Sequence, residues 1–152
     1  MKLTVAFDRT VGRPLYRVHA QLYRLTKGFI GHRSPVGPML LMTVKGRKTG
    51  LPRSVTLLYQ AARGRYYVVG SNGGRPSHPT WVLNVRANPD VSVQVGATRF
   101  DALARELPAE ERVSVWPELT SFYPGWAHYE TLTNRPISVF ELRPQARRIA
   151  TP

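Results

Sequence analysis

Cysteine is missing from this chain. Its absence excludes disulfides, thiolate zinc sites, iron–sulfur ligation and a cysteine nucleophile, and it is compatible with a reducing compartment. Acid is scarce: 9 Asp and Glu stand against 22 Lys and Arg, giving a net charge of +13 and a pI near 11.1. No apolar run approaches the ~18 residues that span a bilayer, and the start of the chain has no apolar signal-type segment, so a cytoplasmic protein is expected. His19, His32, His78 and His128 lack metal-ligand spacing, so no metal is expected. A Gly-x-Ser-x-Gly nucleophile signature is missing, and the adjacent acids Glu110-Glu111 are explained by the start of a helix. Hydrolysis has no visible machinery.

What remains is a chain of 152 residues, 42% apolar and 20% charged, which predicts one globular domain able to bury a core. The cationic excess demands an anionic partner. Nucleic acid, an anionic membrane surface and a polyanionic small molecule all satisfy it.

Leu15, Val18, Leu22, Leu25 and Phe29 recur at helical spacing over residues 12–29, with Arg13, Arg17, Arg24 and Lys27 on or beside the other face. The expected fate of that apolar face is packing on its own domain; weak peripheral contact with the inner face of a membrane is the other. A Gly- and Pro-containing linker follows, so residues 1–37 are read as helix and linker, 38–144 as the folded domain and 145–152 as a basic tail. Strands are predicted at Met39–Val44, Val55–Tyr59, Arg65–Gly70, Val91–Val95, Thr98–Glu106 and Ile137–Leu142. Most links are too short for parallel crossovers, so the fold class is α+β: a six-stranded antiparallel barrel. Three helices interrupt it. One is capped by Ser77 and runs through Trp81 to Ala87. One opens at Pro108 and is limited or kinked by Pro117, and a short one covers Trp126 to Leu132.

Two loops carry the chemistry. Lys45 to Arg53 places four cations, two glycines and a proline in nine residues without an acid, a turn able to present N–H groups and cations to a phosphate. It is no P-loop: Arg47 separates Gly46 from Lys48, and a strand follows instead of a helix. Ser71-Asn72-Gly73-Gly74 closes the third strand and lets backbone approach a ligand. Tyr123, Trp126 and Tyr129 repeat every three residues and offer either core or a flat wall over a planar substrate.

Gly46-Arg47-Lys48-Thr49-Gly50-x-x-Arg53, Ser71-Asn72-Gly73-Gly74, His78-Pro79-x-Trp81-x-x-Asn84, Ala87-Asn88-Pro89 and Tyr123-Pro124-Gly125 together resemble the actinobacterial deazaflavin-dependent nitroreductase family. Those proteins are split β-barrels of FMN-binding type. The resemblance covers about Met39 to Pro144. It implies an oxidoreductase that passes a hydride from reduced coenzyme F420 to an electron-poor acceptor such as a quinone, enone or nitro compound. F420 carries a flavin-like tricycle, a phosphate and a glutamate tail, and that tail favours it over FMN for so cationic a loop. By resemblance Arg47, Lys48, Thr49 and Arg53 bind the phosphate and tail. Thr43, Gly70, Asn72, Thr80, Trp81 and Asn84 line the ring. Tyr123, Trp126 and Tyr129 meet the acceptor, with Tyr123 or Tyr129 as proton donor. Some members have tyrosine where this chain has Trp126, which replaces a phenol by an N–H donor.

Two alternatives stay open at this point. One is a non-catalytic carrier of F420, FMN or a tetrapyrrole. The other is a single-stranded nucleic-acid barrel, disfavoured because the cations spread as far as Arg143, Arg147 and Arg148 instead of forming one groove. The expected assembly is a monomer or homodimer.

Overall fold

A computed structural model describes residues 9–146, with side chains from Arg17 onward. The elements are α1 (Arg9–Leu25), β1 (Arg33–Ser34), β2 (Gly37–Lys45), β3 (Pro52–Ala62), β4 (Arg65–Gly70), α2 (Thr80–Ala87), β5 (Asp90–Val95), β6 (Thr98–Glu106), α3 (Ala109–Phe122), α4 (Gly125–Thr131) and β7 (Ser138–Pro144), with a tight bend at Asn72–Gly74 after β4. The strands follow the order β1-β2-β3-β4-β7-β6-β5, and β5 pairs back onto β2. β2 to β7 therefore form a closed barrel of six strands, every pairing antiparallel.

Alternation sorts the side chains. Leu40, Met42 and Val44 point inward with Val91 and Val93, and Trp81, Val82 and Val85 of α2 complete that core. Outside the barrel, Tyr67, Val69 and Val139 form a second core with Leu119 of α3 and Trp126 of α4. Glu141 is buried on the outer side of β7, where Arg65, Arg105 and Arg143 neutralise it.

Register fixes which loops share an end. Lys45 pairs with Pro52 and Tyr59 with Val68, so β3 leaves the basic turn and β4 returns towards it, ending at Gly70. The basic turn and the Asn72–Gly74 bend open at one end of the barrel, and α2 lies between them.

Several expectations need correction. Ser77 is not a helix cap: α2 has Pro79 at its N-cap position without a side-chain cap, and the Ser77 carbonyl accepts from Asn72 Nδ2 instead. α3 does not stop at Pro117 but runs on to Phe122. The linker contains the small β1–β2 hairpin. The largest correction concerns α1. Of its described side chains Ala20 and Tyr23 are buried, whereas Val18, Leu22 and Leu25 face solvent together with Phe29 beyond the helix end. Polar anchors explain the inversion. His19 Nδ1 meets Thr56 Oγ1 at 2.9 Å, Arg24 donates to Ser54 Oγ at 2.7 Å, and the Tyr23 hydroxyl donates to the Met39 carbonyl at 2.9 Å with the Gln94 carbonyl 3.2 Å away. Leu15 and Arg13 lie outside the described side chains; Arg147 and Arg148 lie outside the described residues.

Candidate active site at one barrel end

The basic turn is built before any ligand arrives. Gly46 N–H donates to the Leu51 carbonyl and Gly50 N–H to the Gly46 carbonyl, both at 2.8 Å. Gly50 holds φ +70°, which explains glycine there. Thr49 Oγ1 faces into the turn, accepting from Leu51 N–H at 3.3 Å and Arg53 Nη2 at 3.4 Å. Arg47, Lys48 and Arg53 are exposed. Among the described residues none of the three has a carboxylate partner.

α2 holds the turn from one side. Asn84 is buried, and its Oδ1 accepts from Arg47 N–H at 3.2 Å and Arg47 Nη1 at 3.1 Å. Asn88 Nδ2 adds a 3.4 Å bond to the Lys45 carbonyl. Trp81 points the other way, into the barrel core, with its ring 5.3 Å from Phe140 edge to face. Thr80, the first residue of α2, is exposed.

The second loop is a left-handed turn. Asn72, Gly73 and Gly74 have φ of +48°, +62° and +75° in succession, a run that Asn-Gly-Gly tolerates and most residues do not. The side of Gly74 rests against the Tyr129 carbonyl and Leu132, so α4 packs directly on the bend. Gly70 meets Val82 in the same way, seating α2 on the end of β4. Arg135 then clamps the segment. It donates to the carbonyls of Gly70 at 3.3 Å, Ser71 at 2.8 Å and Arg75 at 3.0 Å. Its Nη1 lies 3.3 Å from His78 Nδ1. Burial lowers the His78 pKa, and Arg86 and Arg135 lower it further, so the ring is neutral at neutral pH and Nδ1 accepts.

The aromatic cluster is layered. Trp126 is buried against Phe122 and Tyr123, so it backs the wall and does not face it. Tyr123 and Tyr129 are half-buried, with hydroxyls 3.4 Å apart. The Tyr123 ring folds back across Gly125, where a Cβ would lie 2.4 Å from its Cζ. The hydrogen bond to Tyr129 raises the Tyr123 pKa and burial adds to the rise, so the phenol stays protonated at neutral pH.

Arg47, Lys48, Thr49, Arg53 and Asn84 are therefore one unit, and the bend that Asn72 opens meets Tyr129 of α4 through Gly74, while Gly70 is seated against α2. Thr43 stands apart. It faces outward, its hydroxyl 2.8 Å from Ser54 Oγ, which also accepts from Arg24. A groove of about 220 Å³ between Arg24, Thr43, Ser92 and Arg99 runs beside it. Arg135 was missed as a site-forming residue, because a lone arginine in a loop carries no pattern. Among the described residues, no group of three or more metal-ligating side chains is assembled.

The family profile described as F420H(2)-dependent quinone reductase matches residues 15–144. This chain belongs to that family. An F420H(2)-dependent quinone reductase of Mycobacterium tuberculosis strain H37Rv is 36% identical over 146 residues, spanning 93% of this chain and 98% of the relative. A solved F420-H2 dependent reductase (FDR-A) is 45% identical, covers 70% of this chain and 94% of its own, and superposes with a TM-score of 0.64. Another solved structure, described as a domain-swapped dimer, is 40% identical, covers 86% of this chain and 99% of its own, and superposes with a TM-score of 0.67. The haem storage protein HutZ of Vibrio cholerae, 16% identical at a TM-score of 0.53 over 71% of this chain and 82% of its own, shares the fold alone. As a member of the F420H(2)-dependent quinone reductase family the chain is an oxidoreductase, and its coenzyme is F420. The donor set agrees with that coenzyme. Exposed cations without carboxylate partners match a phosphate followed by a chain of carboxylates.

Proposed function

We propose that this enzyme reduces a quinone to a quinol at the barrel end where the basic turn and the Asn72–Gly74 bend lie together. Reduced F420, when bound, supplies the hydride. Arg47, Lys48 and Arg53, with the Thr49 hydroxyl, hold the phosphate and the start of the glutamate tail. Asn84 fixes Arg47, so the guanidinium is oriented before binding and little freedom is lost on contact. Gly70, Asn72 and Thr80 belong to the surround of the ring, with Trp81 as support from within the barrel, while Thr43 lies outside it.

Converting a quinone to a quinol takes the hydride and one proton. Tyr123 Oη is the proton donor, and Tyr129 Oη relays a replacement from water. Trp126 backs both phenols and keeps the wall flat. An intracellular enzyme working as a monomer or homodimer fits this reading. The observation that carries it is the bond between Asn84 and Arg47, which joins an unpaired cationic turn to the helix leading from the glycine bend.

Two measurements test the proposal. Titration at low salt should quench the fluorescence of F420 with low-micromolar affinity or better, and should favour F420 over FMN. Stopped-flow oxidation of bound F420H2 by menadione should run well above the rate without protein. A carrier would show the uncatalysed rate, and that outcome would end the enzymatic reading of this site.

A further inference from the structure

The outer face of the barrel beside the basic turn carries hydroxyls instead of an apolar cover. Register lines up Ser54 of β3, Thr43 of β2 and Ser92 of β5 in one row. The next row away from the turn holds Thr56, Leu41, Gln94 and Arg99. Strand alternation turns both rows away from the core that Met42, Val44 and Val93 fill. Helix α1 covers the second row, with Tyr23 on Leu41 and His19 on Thr56. The first row stays open: Thr43 and Ser54 are half-buried and Ser92 is exposed. The groove of about 220 Å³ noted above runs here, lined also by Arg24 and Arg99.

Both arginines are oriented by uncharged partners. Arg24 Nη2 donates to Ser54 Oγ at 2.7 Å, and Ser54 Oγ lies 2.8 Å from Thr43 Oγ1. Arg99 Nε donates to Oε1 of the buried Gln94 at 3.0 Å, and its Nη2 reaches the Arg24 carbonyl at 3.4 Å. Gln94 is fixed in turn, its Nε2 donating to the Gly96 carbonyl at 2.9 Å. A buried amide therefore holds Arg99 much as Asn84 holds Arg47. A guanidinium offers five N–H donors, so each arginine keeps some for a ligand. Among the described residues neither has a carboxylate partner. Two cations lining one groove repel each other until an anion enters.

We infer that this groove binds the carboxylates of the F420 glutamate tail beyond its first residue, with Arg24 and Arg99 as their anchors. The inference rests on the F420 reading of the basic turn and extends it to a second site. Continuity favours the tail over an unrelated anion. Ser54 follows Arg53 directly, and Thr43 stands two positions from Lys45, roughly 7 Å along the strand. A tail that starts at Arg53 thus passes onto the hydroxyl row, where Thr43 and Ser92 meet the amides that link its glutamates. Asp101 faces Ser92 from β6 and repels carboxylates from that rim, so the path runs diagonally from Arg24 to Arg99. The basic turn reads the phosphate common to every form of the coenzyme, and the groove reads tail length.

Fluorescence titration with two forms of F420, one carrying a single glutamate and the other five, decides it. At low salt the wild type should bind the five-glutamate form at least about tenfold more tightly, as one retained bond to a charged group would give. The ratio should shrink as ionic strength rises. Arg24→Gln and Arg99→Gln should each cut the ratio by about half or more, and together bring it near unity. Ser92→Asp removes no hydrogen bond among the described residues, yet it sets a carboxylate in the groove and should also collapse the ratio. A variant that only disturbs folding weakens both forms alike and preserves the ratio. A preserved ratio in all three single variants overturns the inference. Equal Kd values for the two forms in the wild type overturn it as well, and leave the proposed function standing. Failure of either form to bind at all ends both readings.

Discussion

Asn84 Oδ1 accepts two hydrogen bonds from a single residue, the N–H and the Nη1 of Arg47, across 37 positions of sequence. A buried amide on α2 thereby sets both the backbone and the side chain of the turn. Asn84→Ala should raise the Kd for F420 by about tenfold, the effect of losing a bond to a charged group worth ~1.5 kcal/mol. It should also lower Tm by about 3–6 °C, because the site is buried. Asn84→Asp keeps the acceptor and should recover Tm, yet it sets a carboxylate beside Arg47 and should still bind F420 weakly. Fluorescence titration alongside thermal melts separates the two effects.

Lys48 and Arg53 make no ion pair among the described residues, so they contribute little to folding. Lys48→Ala and Arg53→Ala should leave stability within about 0.5 kcal/mol of wild type. Each should raise the Kd for F420 roughly tenfold at low salt, and the difference from wild type should shrink at high ionic strength. A Kd that stays put in both variants would remove the phosphate from this turn.

Tyr123 lies across Gly125, with no room for a methyl group. Gly125→Ala should displace the phenol and lower menadione turnover about a hundredfold, in the range of a lost general acid. Tyr123→Phe should match it in turnover while the Kd for F420 holds in both. If Tyr123→Phe turns over normally, the proton comes from elsewhere.

Arg135 is tested through its neighbour His78. The folded state holds the His78 pKa below its ordinary value of about 6.5, by burial first and then by Arg86 and Arg135. A depressed histidine favours folding while neutral, so its contribution is complete above that ordinary value and is lost as the pH falls below it. The wild-type Tm should therefore drop on acidification from about pH 7.5 to 5.5, and His78→Gln should flatten that portion of the profile. Arg135→Lys retains charge but cannot fork to both Gly70 and Ser71. It should lower Tm at all these pH values.

The barrel was legible because its physics is local. Met39 to Val44 is an apolar run bounded by turn residues, and Val91 and Val93 alternate with Ser92, the period of a half-buried strand. The basic turn was legible for the same reason, since Gly46, Gly50 and Pro52 interrupt that period with turn chemistry. The orientation of α1 was not. A stripe such as Val18, Leu22 and Leu25 ordinarily means core, and the bonds that reverse it reach Thr56, Ser54 and Gln94, far away in sequence. Spacing put Tyr123, Trp126 and Tyr129 on one wall but could not say that Trp126 turns inward against Leu119 and Val139. Arg135 acts through three backbone carbonyls, and carbonyls leave no trace in a sequence.

The pairing of β5 with β2 has a further consequence. Among the described residues, closure leaves little unpaired backbone rim to which another chain could add a strand: the two residues of β1 and the part of β3 before Tyr59, which β4 does not pair. Self-association is thereby steered towards side-chain surfaces or the trading of whole segments between chains, and edge-to-edge stacking is restricted as long as that seam stays shut.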